Sequence, residues 1–154
     1  MLIIIGFLFS VLISVLLGSM TGMNGTMHGF IILVDFPSAI LTLIFLFFFF
    51  FTSKSGSIIG QYIKSSFKKN YNYTRAELVS LSVAVKNTIK FTLAAGGFGF
   101  FIGAIASLGV ATKEELGPNV AVSLLTVFYA IIVSYIIFFP VQAWAENKIN
   151  AMGE

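Results

Sequence analysis

The sequence predicts an all-α integral membrane protein with four transmembrane helices, the second and third extended into a short cytoplasmic helical hairpin. Three observations predict it. Residues 117–140, GPNVAVSLLTVFYAIIVSYIIFFP, carry no charge between Val120 and Phe139, and such a run at the helical rise covers about 30 Å, the hydrocarbon thickness of a bilayer. Hydrophobic residues make up 58% of the 154 and charged residues only 10%, with a mean hydropathy of +1.00, whereas a soluble domain carries about 25% charge. Seven of the nine Lys and Arg lie between Lys54 and Lys90. Basic residues beside spans stay on the cytoplasmic side, so this clustering reads as topology rather than as a nucleic-acid surface.

The same composition excludes other classes. There is no cysteine, hence no disulfide frame and no thiolate metal site. A single histidine and the lack of a carboxylate cluster leave no metal site of ordinary ligand spacing.

The first span is expected over residues 2–17, LIIIGFLFSVLISVLL. It lacks the basic start and the A-x-A site of a secretory signal, and at about 24 Å it is short for a span. The uncharged, glycine-rich GSMTGMNGTMHG follows as an external loop, in which a solvated His28 is the simpler reading than a proton relay.

The second span is expected over residues 36–52. Asp35 precedes Pro37 and an apolar run, the arrangement of a helix N-cap accepting free amides at the positive end of the dipole. As a cap Asp35 fixes where the span enters; an ion relay is the other reading. Six of the seven residues from Phe45 to Phe51 are phenylalanine, which suits packing against lipid and neighbouring helices rather than a ligand cage.

From Ser53 the chain turns polar. Ile58, Ile59, Tyr62, Ile63 and Phe67 recur at steps of one, three and four, so the second span is expected to continue as an amphipathic helix into the cytoplasm. Thr74 and Glu77 form a capping box that starts a new helix, with Leu78, Leu81, Val85 and Ile89 as its apolar stripe. The cytoplasmic hairpin thus covers about residues 53–90, and its lysines can attract anionic lipid headgroups.

The third span is expected over about residues 91–111. Gly96, Gly99 and Gly103 allow close backbone approach, and Gly99-x-x-x-Gly103 is a small-xxx-small packing face. The fourth is expected over about residues 119–140, with Pro118 in its first turn, where a missing amide costs nothing. Along it Ser123, Thr126 and Tyr129 fall at three-residue spacing. Hydroxyls in lipid need partners, so this stripe faces either a helix interface or a wet path, and the residues leave both open. Pro140 is either a hinge or the punctuation that ends the span.

Three blocks carry a resemblance: GP followed by AVSLLT, a tyrosine and a closing FFP; VDFPSAILTL from Val34; and GGFGFFIGAIASL from Gly96. They resemble the fourth, second and third membrane helices of the MotA/TolQ/ExbB superfamily, closest to the MotA/PomA flagellar stator subunit. The resemblance implies a homopentamer around a MotB/TolR/ExbD-like single-span partner whose aspartate carries the ion, in a bacterial inner membrane with both ends of this chain inside. It implies no enzyme activity, no cofactor and no nucleic acid. Thr126 falls at the family's threonine and Tyr129 and Ser123 share its stripe as ion-pathway residues, Pro140 matches the family's coupling proline, and Gly96, Gly99 and Gly103 are expected to pack around the partner. With no acid in the middle of any span, the chain needs the partner's aspartate to bind a cation.

Three departures qualify what is carried over. Where sodium-driven members place threonines, this chain has Phe100 and Val127, neither an oxygen ligand for a hard cation, which favours protons over sodium. The family's proline near the start of the third helix is Leu93 here. The cytoplasmic part is reduced to a short hairpin. A sodium-driven flagellar stator and a TolQ/ExbB-like energiser of a periplasmic process are therefore alternatives, and a structural membrane oligomer or passive pore is a different class.

Overall fold

The computed structural model describes residues 35–68, 71–110 and 112–153, and every regular element among them is helical. The chain divides into two compact units, Met1–Pro37 and Ser38–Glu154, and the architecture below is that of the second. The first span expected at residues 2–17 and the loop with His28 lie outside the described residues.

Helices α1 (Phe36–Thr52), α2 (Ser55–Ser66), α3 (Arg75–Val110) and α4 (Lys113–Ile132) are followed without interruption by a π-helical stretch, Val133–Phe138, and by α5 (Phe139–Ala151). Two helical stretches, Arg75–Gly109 and Lys113–Ala151, are long and apolar enough to cross a membrane. The broken pair α1–α2 makes a third if it counts as one span.

What is buried and what is exposed is reversed from a soluble fold. Thr88, Thr92, Ser123, Thr126 and Ser134 are buried, whereas Phe98, Phe101, Ile105 and Leu108 of α3 and Phe47, Phe48 and Phe51 of α1 are each more than 60% exposed. Small and hydroxyl-bearing residues inside with large apolar ones outside is the distribution of helices solvated by lipid, where close packing and interhelical hydrogen bonds replace the hydrophobic effect as the glue. A conventional apolar core exists only toward one end. There Leu78, Leu81 and Val85 of α3 meet Ile59 of α2, Leu46 of α1 and Ala145 of α5.

The capping box at the start of α3 forms as its residues dictate. The Thr74 amide donates to Glu77 Oε2 at 2.8 Å and the Glu77 amide to Thr74 Oγ1 at 3.3 Å. From it α3 runs 36 residues, about 54 Å at the helical rise and well over a bilayer's thickness. Its charge-free part is residues 91–110, and its charges, Arg75, Glu77, Lys86 and Lys90, all lie in the turns before Phe91.

The expected straight continuation of the second span is corrected: α1 and α2 meet at 94°. Thr52 and Ser57, on either side of the bend, supply hydroxyls that bond nearby carbonyls, Thr52 to Phe48 at 2.8 Å and Ser57 to Lys54 at 2.8 Å, and such bonds compete with helix continuation. Gly56 permits the fold-back. A Cβ there would stand 2.6 Å from the Phe50 carbonyl oxygen. The first half of α3 consequently packs against α5 as well as α2. Tyr62, Tyr73 and Trp144 join the three elements, with ring centroids of Tyr62 and Tyr73 each 5.4 Å from that of Trp144.

Two boundaries of the fourth span also move. α4 begins at Lys113, ahead of Pro118, because Glu115 accepts the Thr112 amide at 3.2 Å and acids in the first turn suit the dipole. Pro118 therefore lies inside α4 rather than in its first turn. The helix does not end at Pro140 but continues to Ala151.

Candidate functional site

The site is the seam between α3 and α4. The two helices run antiparallel, and Gly96, Gly99 and Gly103, three of the five glycines of α3, each receive one layer of α4. A Cβ on Gly103 would overlap Ser123 Oγ, one on Gly99 would lie 3.2 Å from Thr126 Oγ1, and one on Gly96 would overlap Ala130 Cβ. These are the close approaches that small-xxx-small faces permit. The expected glycine face is thus used, and its occupant within the chain is its own fourth helix.

The hydroxyls of the seam are satisfied inside it. Ser123 Oγ donates to the Asn119 carbonyl at 2.9 Å. Thr126 Oγ1 lies 2.8 Å from the Ser123 carbonyl and 3.1 Å from the Gly96 carbonyl across the seam, so its one proton is shared between its own helix and α3. Both side chains are buried. Tyr129 is only half-buried and does not face the glycines, the place one turn beyond Thr126 being taken by Ala130. The three-residue spacing drifts around a helix of 3.6 residues per turn, which is why the third member leaves the stripe.

Phe100 and Val127 are both half-buried. Asp35 stands directly before the first residue of α1, at the position of a cap. No group of three or more His, Cys, Asp or Glu suited to a metal ion occurs among the described residues.

Two parts of the site were not anticipated. The glycine face extends along α3 through Thr88 and Thr92, whose hydroxyls donate to the carbonyls of Ala84 at 2.9 Å and Thr88 at 2.8 Å, and through Ser107, bonded to Gly103 O at 2.7 Å. The spacing 88, 92, 96, 99, 103, 107 is one continuous helical stripe and was there to be read. The second is the π-helical stretch directly before Pro140, in which the Phe139 amide donates to Ser134 O, five residues back. Ser134 Oγ within it is buried without a hydrogen-bond partner among the described residues. Pro140 has no amide to give to Ile136 and its ring would crowd that carbonyl in a regular helix. A widened turn beside it is one of the recognised ways a helix accommodates such a break.

A cleft of about 280 Å3 lies elsewhere, between α2 and the first turns of α3, lined by Ile58, Tyr62, Tyr73, Glu77 and Leu81 among others. Its carboxylate is occupied. Glu77 accepts from the Thr74 amide and hydroxyl and from Tyr71 OH at 2.9 Å. In this exposed first turn, ahead of the charge-free part of α3, the Thr74 amide and then the Tyr71 and Thr74 hydroxyls hold the Glu77 carboxyl below its ordinary range, and the same hydrogen bond raises the Tyr71 phenol.

No protein-family model matches the sequence, and a comparison with curated proteins finds no match.

Proposed function

We propose that this chain is the channel-forming subunit of an ion-driven, MotA-like complex. In that reading it has four spans, residues 2–17 forming the first, and it encloses a single-span partner that brings the ion-binding aspartate. The observation that carries the proposal is the α3–α4 hairpin: the segments that resemble the family's third and fourth helices pair in register through Gly96, Gly99, Gly103, Ser123 and Thr126, free of charge, and the pairing ends at a widened turn followed by Pro140. A charge-free pair of this kind can wall a pathway and brings no charge of its own to bind a cation, which suits a partner-dependent subunit. Phe100 and Val127 favour protons over sodium.

The protrusion favours one machine over another. Among the described residues, the part past the charge-free segments on the side of the apolar cluster is the first half of α3 with α2 and α5 against it. That is little surface with which to grip a rotor, and it supports an energiser that passes work outward through its partner, as the resemblance to TolQ and ExbB implies, over a flagellar stator.

Co-expression with the adjacent gene product and native mass spectrometry of the complex tests the reading. Five copies of this chain with two of a one-span protein bearing a membrane aspartate are expected. A ring that forms alone and ignores the added protein would leave the structural oligomer or passive pore in its place.

A further inference from the structure

The bend at Ser53–Lys54 gives α2 an orientation, and the orientation exposes a face that needs a partner. If α1 crosses the bilayer, a helix leaving it at 94° runs along the surface. The contact of Gly56 with Phe50 fixes which edge of α2 points back toward α1, and therefore toward the bilayer. Positions 56, 60, 63 and 67 are spaced i, i+4, i+7, i+11, one stripe of a helix. Gly60 has open space beside it, and Ile63 and Phe67 are 51% and 87% exposed. Among the described residues nothing covers the Ile63 and Phe67 side chains. The adjoining face, with Ser55, Ile59 and Ser65, is buried within the protein. Lys64 and Lys68 each follow an apolar member of the stripe and are exposed.

We propose that α2 is an in-plane membrane anchor whose Ile63–Phe67 edge seats in the headgroup–acyl boundary, with Lys64 and Lys68 engaging the phosphates of anionic phospholipids. The proposal rests on reading α1, α3 and α4 as membrane spans. An apolar edge flanked by lysines is the pattern of interfacial helices, which bury that edge about 5–10 Å deep and draw further binding from basic residues near an anionic leaflet. The long lysine stems lie along apolar surface while their ammonium groups reach the phosphates. Charge complementarity selects the lipid: an acidic headgroup, not a zwitterionic one, answers Lys64 in the last turn of α2 and Lys68 just past its end, with no acid in the helix.

The test uses the full chain in phosphatidylcholine vesicles with bromine placed either high or deep on the acyl chains. Trp144→Phe removes the sole tryptophan, and single reporters are then introduced as Phe67→Trp, Gln61→Trp and Phe101→Trp. Phe67→Trp is expected to be quenched by shallow bromines in preference to deep ones, Gln61→Trp by neither, and Phe101→Trp, on the exposed apolar part of α3, by deep ones. Adding phosphatidylglycerol should strengthen the Phe67→Trp quenching, and Lys64→Gln with Lys68→Gln should abolish that increase.

Deep quenching of Phe101→Trp with none, or equally deep quenching, of Phe67→Trp overturns the anchor while leaving the spans in place. Absence of quenching at both overturns the spans and the anchor together. An undiminished phosphatidylglycerol effect in the double lysine variant overturns the assignment of the headgroup contacts.

Discussion

Thr126 Oγ1 reaches the carbonyl of Gly96, thirty residues away on the neighbouring helix, at 3.1 Å within a buried seam. It is a hydrogen bond between helices whose contact is otherwise made by glycines and a methyl. Such bonds contribute about 0.6 kcal/mol on average in a membrane protein and about 1.7 at most. Thr126→Val is therefore expected to lower stability in detergent by about 1 kcal/mol, and Thr126→Ser to restore most of it; thermal unfolding of the two variants checks this. In the proposed complex Thr126→Val should also reduce proton flux in vesicles more than its stability loss explains. Equal flux in both variants would confine Thr126 to packing.

The glycines of α3 should divide sharply by position. Alanine at Gly96 or Gly103 meets Ala130 or Ser123, whereas alanine at Gly97 meets nothing within 4 Å. Overpacking costs about 1–3 kcal/mol, and replacing an unconstrained helical glycine returns about 0.5–1 kcal/mol. Gly96→Ala and Gly103→Ala are expected to melt earlier than the parent protein and Gly97→Ala slightly later. A uniform response would mean that the register of the seam is different.

Gly56→Ala is expected to open the α1–α2 bend, because its Cβ would stand 2.6 Å from a backbone oxygen that cannot rotate away. A pair of spin labels at Phe48 and Ile63 should report a longer distance in the variant. An unchanged distance would show that the hydroxyl run alone sets the angle.

The buried Ser134 hydroxyl lacks a hydrogen-bond partner among the described residues. An unmet buried polar group costs about 1–3 kcal/mol, so Ser134→Ala is expected to leave the isolated subunit as stable or more so. A clear loss of stability only in the assembled complex would reveal a partner supplied from outside the chain.

Glu77 ties the start of α3 to pH. Its folded-state pKa is lowered, so what it contributes is present above its unfolded value, about 4.3, and is lost as pH falls through the lower folded value. Amide exchange at residues 75–78 should accelerate across that acidic window and stay flat above it. Glu77→Gln should show the faster exchange already at neutral pH, with no further change on acidification.

Much of this was legible in the residues. The Thr74–Glu77 box placed the start of α3 because both of its bonds are local, and the Leu78, Leu81, Val85 stripe was buried because helical spacing alone decides it. The seam was half legible. Gly96, Gly99 and Gly103 announced a close approach, and Ser123 and Thr126 a need for partners, but no spacing rule says which helix arrives or that Ala130 rather than Tyr129 completes the face. The bend and the widened turn were not legible as such. Ser53 and Ser57 read equally as helix-surface residues, and Pro140 read as an end because a proline's cost is local while the turn that accommodates it is spread over the six preceding residues.

The two breaks in regularity stand at one level. Phe50, which crowds Gly56 at the bend, also sets its ring edge-on to Phe138 of the widened turn, with centroids 6.2 Å apart. Beyond that level, away from the aromatic cluster, α3 and α4 approach so closely that one added methyl already overlaps its neighbour. The α1–α2 bend and the widened turn before Pro140 are thus joined by ring contact, whereas the glycine seam has no room for a larger side chain.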